Sequence, residues 1–449
     1  MLTVTDPISR RGFLTLGTLG LGGLSLPSLL ASQDAAEGRS VVFVFMQGGP
    51  SQYETWDPKP DAPEAIRTIG ATIKTSVPGL HFGETMGQLA RRAHKLTVVR
   101  SFRTNNAGHN IEPIVGPDTL QANLGVLVSH AAGGGRGEMP SGAILYPQAV
   151  CRDVTKGSAR GDLGATGAFG QSHAPFVPGA NGPAQKNMRL SLSRSRFEDR
   201  LSLLRELDRE RRGLDTLGLE EQQARARELL LGDRVADAFD LSKESPRLVE
   251  KYDTARYAPA HGWRKSDRGK RGYYTGQARS IGKLMLLARR LCEAGCGFIT
   301  IHADYEGVWD MHADGNNLNM ADGMQAVGLP FDHAVSAFID DVEARGLSDR
   351  ILLICCGEMG RTPRVNKNGG RDHWARLAPL LLYGAGSRGG RVIGQSTRDG
   401  GEPAADPLGP ANLVSMVLHA MFDVGKMRLE PRLAAFSRLA EAPPIPLLG

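Results

Sequence analysis

The sequence predicts an α/β fold: a mostly parallel sheet with helices on both faces, interrupted by an inserted helical hairpin. Three observations carry this. Five short apolar runs, each bounded by Gly or charged residues, read as buried strands. Segments of helical periodicity precede several of them, and parallel neighbours need such crossovers. Gly is abundant, at 56 of 449 residues, in a chain that is 41% apolar. The glycines therefore mark tight turns and close backbone approaches rather than disorder.

The elements follow in order. "VVFVFMQGGP" (41–50) is a strand that ends in a Gly-Gly turn. "LTVVR" (96–100) is a second, after a short helix around "MGQLARRAHK". "GFITIHAD" (297–304) follows the helical run "GQARSIGKLMLLARRLCEAG", and "RILLICCGE" (350–358) follows "PFDHAVSAFIDDVEARG". "APLLLYGAG" (378–386) is the fifth. Residues 186–256 differ, being charged helices with narrow apolar stripes. They read as a helical hairpin inserted into the frame, a lid or a surface for a protein partner, with its charge runs on a solvated face.

The amino terminus has its own logic. "SRRGFLTLGTLGLGGLSLPSLLA" pairs Arg10 and Arg11, then stays uncharged and only mildly apolar until Asp34. This is the pattern of a twin-arginine export signal over residues 1–38, ahead of one domain at 39–449. The expected location is the periplasm or cell envelope, with membrane attachment only if the signal stays uncleaved. A formal charge of +6 comes with no aromatic-interleaved basic patch, so no nucleic-acid partner is expected. The five Cys do not form a disulfide framework and read as buried small hydrophobes.

The reactive residues gather in loops that follow or precede strands. These are "QGGPSQYETWDPKP" (47–60), "RSFRTNNAGHN" (100–110), "IHADYEGVWDMHADG" (301–315), "GEMGRTPR" (357–364) and "GGRDHW" (369–374). In an α/β sheet, loops beyond the carboxyl ends of strands carry the function. Asp310 and His312, two apart, face the same way in an extended segment and can share a cation. Asp372 and His373 offer another oxygen–nitrogen pair, and Glu358 a further carboxylate. Mixed carboxylate and imidazole donors suit Zn or Mn better than Ca. Arg361, Arg364 and Arg371 can present forked donors to a tetrahedral oxyanion, and Arg100 and Arg103 of the second loop can join them. Ser101 and Thr104 are the candidate hydroxyl nucleophiles.

In order, "GGPSQYETWDPKP", "VRSF…H", "GAFGQSHAPF", "ITIH…WDMH", "GEMGRTP…GGRDHW" and "GGRVIGQSTRDGGEP" resemble the twin-arginine-exported bacterial family catalogued as domain of unknown function 1501. That family is similar to the alkaline phosphatase and sulfatase superfamily, and the resemblance spans roughly residues 40–425. It implies an alkaline-phosphatase-like fold and two divalent metals flanking a hydroxyl or modified Cys nucleophile. Carried over, Asp310, His312 and His373 form one metal site, with Glu358 and Asp372 in the second. Thr104 stands nearest the nucleophile position, and Arg103, His109, Arg361 and Arg371 surround the oxyanion. The chain also departs from the superfamily. Gln47 stands where the first strand ends in an Asp ligand, with Glu54 or Asp57 as substitutes, and "CRDVT" at Cys151 lacks the Pro of formylglycine sulfatases.

The resulting expectation is a hydrolase with one or two Zn or Mn ions per chain. It would act on a small-molecule or glycan ester, phosphate before sulfate. The rival expectation is a metal-containing binding or scaffold protein on the same fold.

Overall fold

Strand β1 (Ser40–Phe45) reads SVVFVF and is buried along its whole length, on both faces. A strand without a polar face must lie inside a sheet covered on both sides. In the computed structural model of the chain, β1 is flanked by two parallel neighbours, β4 (Phe298–His302) and β5 (Ile351–Cys356). The structure describes residues 38–134, 139–154, 158–178, 233–258, 271–303 and 305–447, together with 196, 199, 200 and 202. Residues 1–37 of the predicted 1–38 export signal and most of the 186–256 insertion lie outside them.

The main sheet has seven strands. The others are β2 (Leu96–Val99), β3 (Gly142–Leu145), β6 (Leu380–Gly384) and β7 (Arg391–Ile393), in the order β7-β2-β6-β5-β1-β4-β3. All five expected strands are present, and β3 and β7 are additions. The first is a four-residue run and the second a half-exposed edge, so neither gives a strong apolar signal. Pairing is parallel except at β6, which runs opposite to both β2 and β5. That reversal matters for the site. The amino end of β6 meets the carboxyl ends of its neighbours, with Leu380 opposite Cys356 and Val99. The loop before β6 therefore lands on the same edge as the loops after β1, β2, β4 and β5.

Alternation along the strands feeds two cores, one on each face. Val42, Val44 and Cys355 pack with helices α2 (Arg271–Ala294) and α3 (Leu329–Ala344). Val41, Phe43, Phe45 and Cys356 pack with α1 (Leu124–Ala131) and α4 (Pro410–Met421). All five Cys are buried and outside any disulfide, as small apolar fillers. Burial drives the Cys355 and Cys356 thiols well above their ordinary value, so they are chemically quiet.

The described end of the predicted insertion, 233–256, carries short helices at Asp233–Phe239 and Pro246–Lys251. It is tied down by an ionic knot. Arg289, fully buried on α2, meets Glu244 and Asp341 at 2.8 Å and also pairs with Glu293. Arg290 joins from the same helix and Arg345 from beyond the end of α3, through Glu244, Asp341 and Glu293. Among the described residues, no helix is long and apolar enough to cross a membrane.

Candidate metal centre

The loops at the carboxyl edge are built around close backbone contacts. Gly48 has φ +115°, and a Cβ there would meet the Asp310 nitrogen at 2.6 Å. Glycine lets the turn after β1 press against the 307–312 segment, and its N–H donates to Glu358 Oε1 at 2.8 Å. Gly360–Arg361 pairs antiparallel with His373–Trp374, which sets Arg361 beside His373. The turn at 314–317 is held by Asp314, whose Oδ1 accepts the N–H groups of Asn316 and Asn317 at 2.8 and 2.9 Å.

Asp310 is the centre of the arrangement, and it is 5% exposed. Its Oδ1 faces His312 Nδ1 at 2.5 Å, Arg361 Nη2 at 2.7 Å and His373 Nε2 at 3.2 Å. Its Oδ2 faces His109 Nε2 at 3.3 Å and accepts from Asn317 Nδ2 at 3.1 Å. Burial alone would raise this carboxyl. Hydrogen bonds from His109, His312 and His373 and the Arg361 charge outweigh burial and hold it far below the usual carboxylate range. Burial likewise pulls His109 down, but its bonds to Asp310 and Glu358 win and push it up to about 9.

Whether these residues suit a divalent cation is decided by the far side of each ring. His373 Nδ1 donates to the Ala107 carbonyl at 3.0 Å, which turns Nε2 toward Asp310. His109 Nδ1 is fixed on Glu358 Oε1 at 2.6 Å, leaving Nε2 facing Asp310. His312 Nε2 pairs with Asp314 at 3.0 Å while Nδ1 faces Asp310. Metal-binding imidazoles are oriented in this way, one nitrogen inward and the other held by an outer acceptor. Donor atoms of His109, Asp310 and His373 all lie within 4.8 Å of one another. One carboxylate and two or three imidazoles form a donor set that fits Zn or Mn.

Asp310, His312 and His373 lie together, both rings touching the Asp310 carboxylate, while the donor atoms that converge within 4.8 Å are those of His109, Asp310 and His373. Two residues stand elsewhere than expected. His109, expected beside the oxyanion, belongs to the donor cluster, and Glu358, expected as a ligand of a second metal, holds His109 in place. Nothing in either local sequence reveals this, because the two residues meet only through tertiary packing. Asp372 is exposed and accepts from Asn366 Nδ2 at 3.0 Å, apart from the cluster.

The arginines also differ from expectation. Arg361 is fully buried, with its donors on the Gly48, Gly49 and Arg371 carbonyls and Asp310. Arg371 is fully buried too, on Glu54 at 3.1 Å, on the carbonyls of Ile66 and Arg67, and over the Tyr53 ring at 4.2 Å. Arg371 has an acceptor for every N–H, and Arg361, sealed from solvent, keeps a single Nη1 hydrogen beyond these bonds. Buried loop carbonyls need donors, and these guanidiniums supply them. Arg103 is exposed, and Arg100 pairs with Asp57 at 3.3 Å.

Of the candidate nucleophiles, Ser101 is fully buried against Gly394. The Thr104 hydroxyl donates to the Glu358 carbonyl at 2.5 Å. Gln47 is bound on both ends of its amide. Oε1 accepts from His302 Nε2 at 2.8 Å, and Nε2 donates to the His109 carbonyl at 3.2 Å. Residues that the sequence did not single out are Asn317, which donates to Asp310, and Asp314, which orients His312. The Asp-Gly-Asn-Asn turn was their signal.

The structure is similar to several solved ones. PsFucS1 sulfatase from a Pseudoalteromonas species aligns at 10% identity and TM-score 0.38, covering 88% of this chain and 71% of that one. Phosphonate monoester hydrolase of Agrobacterium radiobacter aligns at 10% identity and TM-score 0.33, covering 85% and 73%. A mutant of TAB5 alkaline phosphatase aligns at 13% identity and TM-score 0.26, covering 86% and 96%. These scores are low, and the chemistry is read from this chain's own residues. No curated protein matches. Over residues 38–429 the chain matches one family, described as a protein of unknown function, DUF1501, and it belongs to that family.

Proposed function

We propose that this protein is an exported, metal-dependent hydrolase of anionic esters, phosphate first and sulfate second. The observation that carries the reading is the convergence of His109, Asp310 and His373 donors within 4.8 Å at the carboxyl edge of the sheet. The outer nitrogens of those imidazoles are already anchored. When bound there, a Zn or Mn ion supplies Lewis-acid polarisation of the ester. The chain's own part is to hold the donors. Asp310 gathers the three imidazoles, Glu358 fixes His109, Asp314 fixes His312, and the Ala107 carbonyl fixes His373. The half-buried His312 and His373 leave the cluster open to solvent on one side.

The test is a panel of nitrophenyl phosphate and sulfate esters with added Zn or Mn, comparing wild type with Asp310→Ala. Turnover of a phosphate ester that the variant abolishes is the expected result. A wild type that binds the metal yet turns over neither ester would refute it.

A second reading is a metal-holding binding or scaffold protein without turnover. It is favoured by the two hydroxyls, since Ser101 is sealed in the core and Thr104 is engaged with a carbonyl. The same panel separates the two readings. The export part of the proposal rests on Arg10, Arg11 and the uncharged stretch that follows. A reporter fused to residues 1–38 should reach the cell envelope, and retention in the cytoplasm would contradict it.

A further inference from the structure

We infer that the Arg361 guanidinium occupies the place of a second metal ion, so that each chain takes up one exchangeable divalent cation and not two. This rests on the reading of the Asp310 cluster as a metal centre. Hard cations are held by carbonyl and carboxylate oxygens. Just past the end of β1, such oxygens converge on Arg361. Nε donates to the Gly49 carbonyl at 2.7 Å, Nη1 to the Arg371 carbonyl at 3.0 Å, and Nη2 to the Gly48 carbonyl and to Asp310 Oδ1, the latter at 2.7 Å. The guanidinium is fully buried and permanently charged, so it cannot leave or be exchanged.

The residues that could otherwise ligate a second ion are engaged. Gln47 is neutral, and its amide oxygen takes the His302 contact. Glu54 is bound to Arg371, and Asp57 to Lys59 and Arg100. Glu358 Oε1 holds His109 and the Gly48 N–H. Its Oε2 is buried without a partner among the described residues, and a single oxygen does not make a site. Asp310 Oδ1 is shared between Arg361 and the imidazoles, so a second dication here would face the guanidinium charge at contact distance.

The experiment counts metal. Full-length mature protein is stripped with a chelator, reloaded with Zn, freed of excess by gel filtration and assayed by elemental mass spectrometry. One Zn per chain, falling close to zero in His373→Ala, is the expected result. Two per chain in wild type overturns the inference while leaving the metal reading intact. None overturns the metal reading and this inference with it. In Arg361→Ala protein that still melts cooperatively, the emptied oxygen cage should raise the content from one to two at millimolar Zn. A content that stays at one overturns the claim that the guanidinium stands in for a metal. Should that variant not fold, the wild-type count decides.

Discussion

Two buried charge centres, around Asp310 and around Arg289, use similar residues for different ends. The Arg289 centre sets Glu244, Glu293 and Asp341 against Arg289, Arg290 and Arg345, three carboxylates against three permanent cations. Its charges balance at any pH where carboxylates are ionised, and every carboxylate faces a permanent cation. The Asp310 centre has one permanent cation, Arg361, and three imidazoles whose inner nitrogens converge on a single carboxylate. Imidazole can give up a proton and bind a metal, whereas guanidinium cannot. The difference teaches where to look for chemistry. A carboxylate ringed by arginines is fastened, and one ringed by oriented imidazoles is available.

The strongest way to break the comparison is to remove each centre's hub. Asp310→Ala should abolish metal retention and cut ester hydrolysis on the order of 10³-fold, read by elemental analysis and steady-state kinetics. Arg289→Met should instead cost about 3–5 kcal/mol of stability, read by urea denaturation, because it strips the buried Glu244 and Asp341 of their fully buried cation and leaves them only Arg290 and Arg345. Metal content per folded chain should be unchanged. If the two variants gave the same phenotype, the distinction would fail.

A pH titration of stability sets the knot against a third buried group, His302, which reaches the Asp310 centre only through Gln47 and the His109 carbonyl. Burial lowers His302 from its ordinary 6.5 to about 4, so the unfolded chain binds the extra proton between those values. Stability should therefore fall as pH drops from 6.5 to 4, by about 3 kcal/mol at roughly 1.4 kcal/mol per unit. In the Arg289 knot, burial pushes Glu244 up, but its bonds to Arg289 and Arg290 win and hold it below its ordinary 4.5. Its contribution is present above 4.5 and is lost only as pH falls below that. Acid melting curves should show the histidine step first, and His302→Gln should remove it. The smallest effect belongs to Glu358→Gln, which should weaken Zn affinity about 10- to 100-fold without changing stoichiometry, by titration calorimetry.

Much of the frame was legible because buried strands are written as apolar runs, and β1 and β5 are the plainest. Strand direction was not legible. Nothing in "LLLYG" says that β6 runs backwards, since periodicity carries no sign. Within the site, Asp310 with His312 and the single His373 could be read from spacing and position. The pairing of His109 with Glu358 could not, since they lie 249 positions apart and meet through packing alone. Arg361 and Arg371 stand in polar, Gly-punctuated loops, where cations ordinarily face water. Their burial follows from Gly48, Gly49, Gly360 and Gly370. These let backbones approach closely, and the carbonyls enclosed as a result needed donors.

The most direct test is a crystal soaked in Zn and measured at the zinc absorption edge. The account predicts one strong anomalous peak about 2.0–2.2 Å from His109 Nε2, His373 Nε2 and an Asp310 oxygen, with none in the Arg361 cage. A peak elsewhere, or none at this cluster in protein that binds Zn in solution, would contradict it.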